Sequence, residues 1–152
     1  MSLTFDLSTS KDLLKLLLEK SNEFKKDKLN TVLAREGAIL CWSLCDWVFS
    51  EHGMALGFKS LRDLQEFVKN NCISMSYMQD LANSSKHKEI TKYIPLLKEA
   101  KKHRGAFSRA FSRAFNISSL RLVLQNNTEL WFEDELEKAT TYWAAFFSSH
   151  GF

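Results

Sequence analysis

Apolar residues recur every three or four positions along most of this chain and every second position in one short stretch. The first spacing predicts helices and the second a strand pair. After a lead-in over residues 1–9, Ser10 is placed to cap a helix with Asp12 in its first turn. Leu13, Leu14, Leu16, Leu17, Leu18 and Phe24 form its apolar side, leaving Lys11, Lys15, Glu19 and Lys20 to solvent. A second helix is expected from Leu29 to Phe49. Its later half is apolar around most of its circumference, which suits a central position, and Gly37 permits a close neighbour. Glu51-His52-Gly53 and Gly57 interrupt the pattern. Ser60-Leu61-Arg62-Asp63 resembles a capping box with Asp in place of Glu, opening a short amphipathic helix through Leu61, Leu64, Phe67 and Val68. Ser74 is placed to cap the next, with Met75, Met78 and Leu81 or Ala82 at helical spacing.

Beyond it, Ile94-Pro95 suggests proline in the first turn of another helix, with Leu96, Leu97 and Ala100 inward and Gly105 as its stop. A small repeat follows: Ala106-Phe107-Ser108-Arg109, Ala110-Phe111-Ser112-Arg113, Ala114-Phe115. Period four keeps the three Phe on one side of either a helix or a strand, so it decides neither. Leu120, Leu122 and Leu124 then alternate with Arg121, Val123 and Gln125, and Leu130 and Phe132 alternate with Glu129 and Glu133. This predicts a hairpin within residues 119–133. A three-residue loop over Asn126 to Thr128, with an Asn in the left-handed region, pairs Leu124 with Leu130 and Leu122 with Phe132 and puts all five apolar residues on one face. Asp134 and Glu137 are a capping pair for the last helix, whose apolar stripe is Leu136, Ala139, Thr140, Trp143, Phe146 and Phe147. The expected fold is mainly α: a bundle of four or five helices in one domain over residues 10–152, with one β-hairpin before the C-terminal helix. Its central packing should join Leu40–Trp47 to Trp143–Phe147.

Composition agrees with that class. Of 152 residues, 45% are hydrophobic and 26% charged; 12 Phe and 4 Trp make an aromatic-heavy core, and 5 Gly with 1 Pro leave little for long loops. Cys41, Cys45 and Cys72 are an odd count without a CxxC pair, which fits reduced thiols in a cytoplasm better than a disulfide framework. No signal peptide is evident, and the apolar run from Ala38 to Phe49 is too short to span a bilayer, so a soluble protein with no membrane partner is expected. Charge is uneven. Between Lys86 and Arg113 nine Lys or Arg stand against Glu89 and Glu99, a local +7 that leaves −4 elsewhere in a chain of net +3. Lys86, Lys88, Lys92, Lys101, Lys102, Arg104, Arg109 and Arg113 are therefore candidate contacts for RNA or for an acidic partner protein, the bland alternative being a solvated basic face. The Arg pair with interleaved Phe can stack on bases, or can be a core-facing Phe stripe with exposed Arg.

The most chemically equipped stretch is Asp80-Leu81-Ala82-Asn83-Ser84-Ser85-Lys86-His87. A histidine beside an amide, a lysine and an acid has the parts for acid–base work near neutral pH. Read blandly, the same residues end a helix, with Lys and His favourable to its dipole. Asp46, flanked by Trp42, Cys45 and Trp47, lies at an edge or is paired inside, with Lys86 or His87 as candidate partners. No phosphate loop, nucleophile elbow, zinc-protease motif or dinucleotide fingerprint is present. The histidines lack ligand spacing, so no metal or cofactor is expected.

The run Ala82-Asn83-Ser84-Ser85-Lys86-His87 resembles the HEPN superfamily (higher eukaryotes and prokaryotes nucleotide-binding domains). Those are helical bundles whose hallmark is Arg, four to six residues, then His, commonly with Asn directly after the Arg. Asn83, Lys86 and His87 match; Ala82 stands where the Arg belongs. The resemblance implies a metal-independent ribonuclease site in active members, often at a dimer interface, and the missing Arg implies a non-catalytic module binding RNA or protein, in a defence or toxin–antitoxin setting. If cleavage survives, His87 is the acid or base, Lys86 stabilises phosphate in place of the Arg, and Asn83 and Asp80 orient them. A structural or oligomerisation protein is the third expectation. The chain also resembles small bacterial proteins with a Cys-Asp-Trp segment, here Cys45-Asp46-Trp47, and an Asn-Ser-Ser-Lys-His segment.

Overall fold

The computed structural model describes residues 3–152. In chain order it contains α1 (Ser10–Lys25), α2 (Thr31–His52), α3 (Leu61–Asn71), α4 (Ile73–Lys86), β1 (Leu97–His103), β2 (Ser119–Leu124), β3 (Glu129–Trp131) and α5 (Phe132–His150). The fold is mainly α, with a small antiparallel sheet ahead of the last helix.

The helix starts show how local chemistry sets boundaries. Thr9, not Ser10, caps α1: its hydroxyl oxygen accepts the Asp12 N–H and the Asp12 carboxylate accepts the Thr9 N–H. Ser10 is instead buried, and its N–H and hydroxyl donate to Glu51 at 2.7 and 2.5 Å, tying the start of α1 to the end of α2. Asn30 caps α2, its side-chain oxygen accepting the N–H groups of Val32 and Leu33. Ser60 caps α3 as expected. Ser74 does not cap α4; it is buried in the first turn and donates to the buried carboxylate of Glu135 at 2.6 Å.

α2 packs against α1, α3, α4 and α5. Its Ala38, Cys41, Leu44, Cys45 and Val48 are fully buried, as its nearly all-round apolarity requires. Gly37 lets α5 approach: a Cβ there would stand 3.1 Å from Leu136 Cδ1. The expected contact between the two most aromatic helices is present, with the buried Trp143 indole donating to the Cys41 carbonyl at 2.9 Å. Burial pushes both the Cys41 and Cys45 thiols far up, so they stay protonated packing groups.

The sheet departs from expectation in three ways. First, Leu97–His103 is a strand rather than a helix, giving three strands instead of two. Its Lys, Glu and Ala favour helix, but pairing with β2 from Leu97↔Leu124 to His103↔Ser119 overrides that preference. Pro95 precedes an extended segment here, and Gly105 stops no helix. A Cβ on Gly105 would meet the Asn116 carbonyl at 2.2 Å, so glycine serves close backbone approach. Second, the β2–β3 loop is three residues long but occupies 125–127, pairing Leu122 with Leu130 and Arg121 with Trp131. Thr128 O accepts the Leu124 N–H, and Asn127 takes the left-handed conformation at φ 68°. The register moves by two residues, which preserves parity, so the apolar face survives: Leu120, Leu122 and Phe132 are buried while Leu124 and Leu130 pack against the core. Third, α5 begins at Phe132, two residues before Asp134, which therefore sits in its first turn with Glu133 and Glu135. The expected stripe from Leu136 to Phe147 is buried.

The Phe repeat is neither helix nor strand. It is a pair of serine turns: the Ser108 and Ser112 hydroxyl oxygens accept the N–H groups of Ala110 and Ala114, and their carbonyls accept those of Phe111 and Phe115 at 3.0 Å. Phe107, Phe111 and Phe115 touch one another with ring centroids 5.1–5.5 Å apart and remain half-exposed. A core-facing Phe stripe with free Arg is thus reversed. Among the described residues no helix is long and apolar enough to cross a membrane.

Candidate functional site

α4 runs through Asn83-Ser84-Ser85 without stopping, because both serine hydroxyls donate back to the Leu81 carbonyl instead of competing for the helix end. It ends at Lys86, with His87 extended behind it. One turn and a half earlier, Asp80 is only 4% exposed. Its Oδ2 accepts the N–H groups of Leu96 and Leu97 at 2.8 and 3.0 Å, and Tyr93 adds a side-chain hydrogen bond. Burial pushes the Asp80 carboxyl above its ordinary range against the pull of those donors. Asn83 Nδ2 donates to the Tyr93 hydroxyl at 3.0 Å, and burial pushes that phenol up to about 12. Asp80 and Asn83 therefore fasten the segment entering β1.

Lys86 and His87 lie on the other side of this division. Both are exposed, and their side chains form no hydrogen bond or ion pair among the described residues. The four residues singled out for acid–base chemistry are split into an inward latch and an outward pair. Asp46 is exposed, and it forms no ion pair among the described residues. Partial desolvation raises its carboxyl, opposed by a backbone hydrogen bond and by the charge of Lys86.

The basic segment is less free than its sequence suggests. Lys101 pairs with Glu129 at 2.6 Å. Arg109 reaches both the Ser118 carbonyl and Glu133, at 2.6 and 2.9 Å. Arg113 grips Asp134 through two hydrogen bonds of 2.6 and 2.7 Å and lies over Trp131, whose ring Arg121 also covers. Glu133 also takes Lys28 at 2.7 Å; burial alone would raise its carboxyl, but the hydrogen bonds and charges of Lys28 and Arg109 hold it below the usual range. These carboxylates come from outside the segment, so much of its local charge is cancelled in space. Lys98 bonds to Asn127. Lys86, Lys88, Lys92, Lys102 and Arg104 keep no such partner among the described residues.

Two of those cations, Lys102 and Lys88, border two adjoining hollows. A hollow of about 230 Å³ lies between the start of α2, the last turn of α4 and β1–β2. Leu81, Ala100, Leu122 and Phe132 make it apolar, while Arg35, Lys102 and the hydroxyls of Ser84 and Ser85 make it polar. A second hollow of about 250 Å³ shares Leu81, Ser84 and Ala100 with it and adds Lys88. Arg35 has no bond or ion pair among the described residues. Sequence reading missed it, since only the fold brings α2 beside the end of α4. Lys92 lines a different hollow, against α3. Among the described residues no group of His, Cys, Asp or Glu could hold a metal ion. Comparison with protein-family models, curated proteins and solved structures finds no match.

Proposed function

We propose that this chain is a non-catalytic RNA-binding module that holds its ligand along the groove between the end of α4 and the sheet. The supporting observation is the meeting there of three unpaired cations, Arg35, Lys88 and Lys102, with two serine hydroxyls and an apolar floor. Unpaired cations take phosphates, serine oxygens with spare lone pairs accept from ribose 2′-hydroxyls, and Leu81 and Leu122 offer apolar contact. What favours a non-catalytic role is that Asp80 and Asn83 are committed to the β1 latch, away from Lys86 and His87. On this reading the five helices are a HEPN-like bundle with a sheet added, and Ala82 leaves the motif without its usual cation.

Binding of a fluorescent single-stranded RNA pool, followed by anisotropy, tests it. Affinity should fall steeply between about 50 and 200 mM salt, and Arg35→Glu with Lys102→Glu should weaken it by about tenfold or more at the lower salt. Absence of binding at low salt, or binding that ignores salt, would overturn the proposal. Incubation of the same RNA with chelator decides the catalytic question: cleavage by the native chain that vanishes in His87→Ala would replace this reading with a metal-independent ribonuclease.

A further inference from the structure

Residues 87–96 join α4 to β1 without regular structure, yet the later part is fastened at each step. Tyr93 is held by Asn83 and Asp80, the Pro95 carbonyl accepts from the Gln125 amide at 3.2 Å, and the Leu96 N–H is taken by Asp80. Between these anchors Ile94 stands 88% exposed. A loose loop would let an isoleucine fold inward; this one holds it out. Ile94 borders a hollow of about 670 Å³ together with Leu96 and Ile73, both roughly half-exposed. The walls are two helices. Arg62, Gln65 and Lys69 lie at intervals of three and four on α3, and Ile73, Ser76 and Gln79 at intervals of three on α4. A trough between two such rows of side chains suits a third helix.

Charge narrows the occupant. The two carboxylates of the hollow are already engaged, Glu66 with Lys69 at 2.9 Å and Asp80 with the β1 entrance. Arg62 and Lys92 have no hydrogen bond or ion pair among the described residues. The lining is mostly polar, with Ile73, Ile94 and Leu96 as its apolar residues and Arg62 and Lys92 as spare cations, and that mixture complements an acidic surface carrying a narrow aliphatic stripe. We propose that this α3–α4 trough docks an acidic amphipathic helix of a partner protein, with Ile94 as the apolar anchor and Arg62 and Lys92 as the charge readers. The proposal does not depend on RNA binding, because the trough and the RNA groove share none of their unpaired cations.

The test uses the full chain, isotopically labelled, and a synthetic helical peptide with leucine at helical spacing and glutamate between. A second peptide carries lysine in place of every glutamate. The acidic peptide should give saturable amide shifts at Ile73, Ile94 and Leu96 and weaken as salt rises. Ile94→Asp and Arg62→Glu should each reduce its affinity by about tenfold or more, with RNA binding unchanged. Ile94 is so exposed that its replacement leaves the core untouched, and an unchanged circular dichroism spectrum verifies that. No saturable shift at Ile94 up to about 1 mM peptide, equal binding of the lysine peptide, or full affinity in Ile94→Asp would overturn the proposal.

Discussion

Asp80 illustrates how much a residue's neighbours decide about its chemistry. In sequence it is an acid seven positions from a histidine; in the fold it is a buried acceptor for two backbone N–H groups and the Tyr93 hydroxyl. Its raised carboxyl pKa carries a linkage consequence. The folded state holds this proton more tightly than the unfolded chain does, so the Asp80 contribution is fully present below the ordinary value of 3.8 and declines as pH rises through the raised folded value. Asp80→Asn keeps an acceptor oxygen but cannot titrate. Its urea midpoint should lose that component of the decline above pH about 4, when compared with the native chain under matched conditions. Asp80→Ala removes the acceptor altogether, leaving the Leu96 and Leu97 N–H groups without it, and should cost about 1–3 kcal/mol or more in the same measurement. A native midpoint difference of the same shape in Asp80→Asn would show that the carboxyl does not titrate this way.

At the scale of elements, legibility followed the range of the forces involved. Apolar stripes and turn chemistry are written locally, so α1, α2, α3 and α5, the hairpin and its left-handed Asn were readable, with ends displaced where a neighbouring group competed, as Thr9 did with Ser10. β1 was not readable: its residues prefer helix, and only β2 and the Asp80 latch, both remote in sequence, make it extended. The Phe repeat failed for a related reason. Arg109 and Arg113 reach Glu133 and Asp134 at the start of α5, contacts remote in sequence on which its conformation is expected to depend. That dependence is testable. Glu133 and Asp134 titrate below their usual values, so their contribution is present above the ordinary carboxylate pKa and is lost as pH falls through the depressed folded values. Glu133→Gln should cost about 1–3 kcal/mol at neutral pH and speed amide exchange at Phe111 and Phe115, while the amides of α2 exchange as before relative to the lowered global stability. Unchanged exchange at the two Phe would mean that the serine turns hold the loop without the ion pairs.

Across the whole molecule, the spacing of α2 and α5 governs the rest, since α5 carries the acids that gather the Phe loop and α2 carries Arg35 to the groove. The candidate groove was half legible for that reason: Lys88 and Lys102 stood out as charge in sequence, whereas Arg35 acquires a place only when α2 is centred. Gly37 tests the spacing directly. Alanine there gains helix propensity of about 0.5–1 kcal/mol, and at an exposed position that gain would stand alone. Here the new methyl meets Leu136 at 3.1 Å, and Leu136, only 1% exposed, must shift to admit it. Overpacking in a dense core costs about 1–3 kcal/mol, so the balance for Gly37→Ala is a net loss. Leu136→Val trims the side chain that the methyl strikes and leaves a small void when made alone. The double variant should therefore be more stable than the sum of the two single losses by about 0.5 kcal/mol or more, read from urea unfolding as a coupling free energy. Strict additivity would mean that the helices separate to admit the methyl, in which case Gly37→Ala should also weaken RNA binding by moving Arg35 away from Lys102.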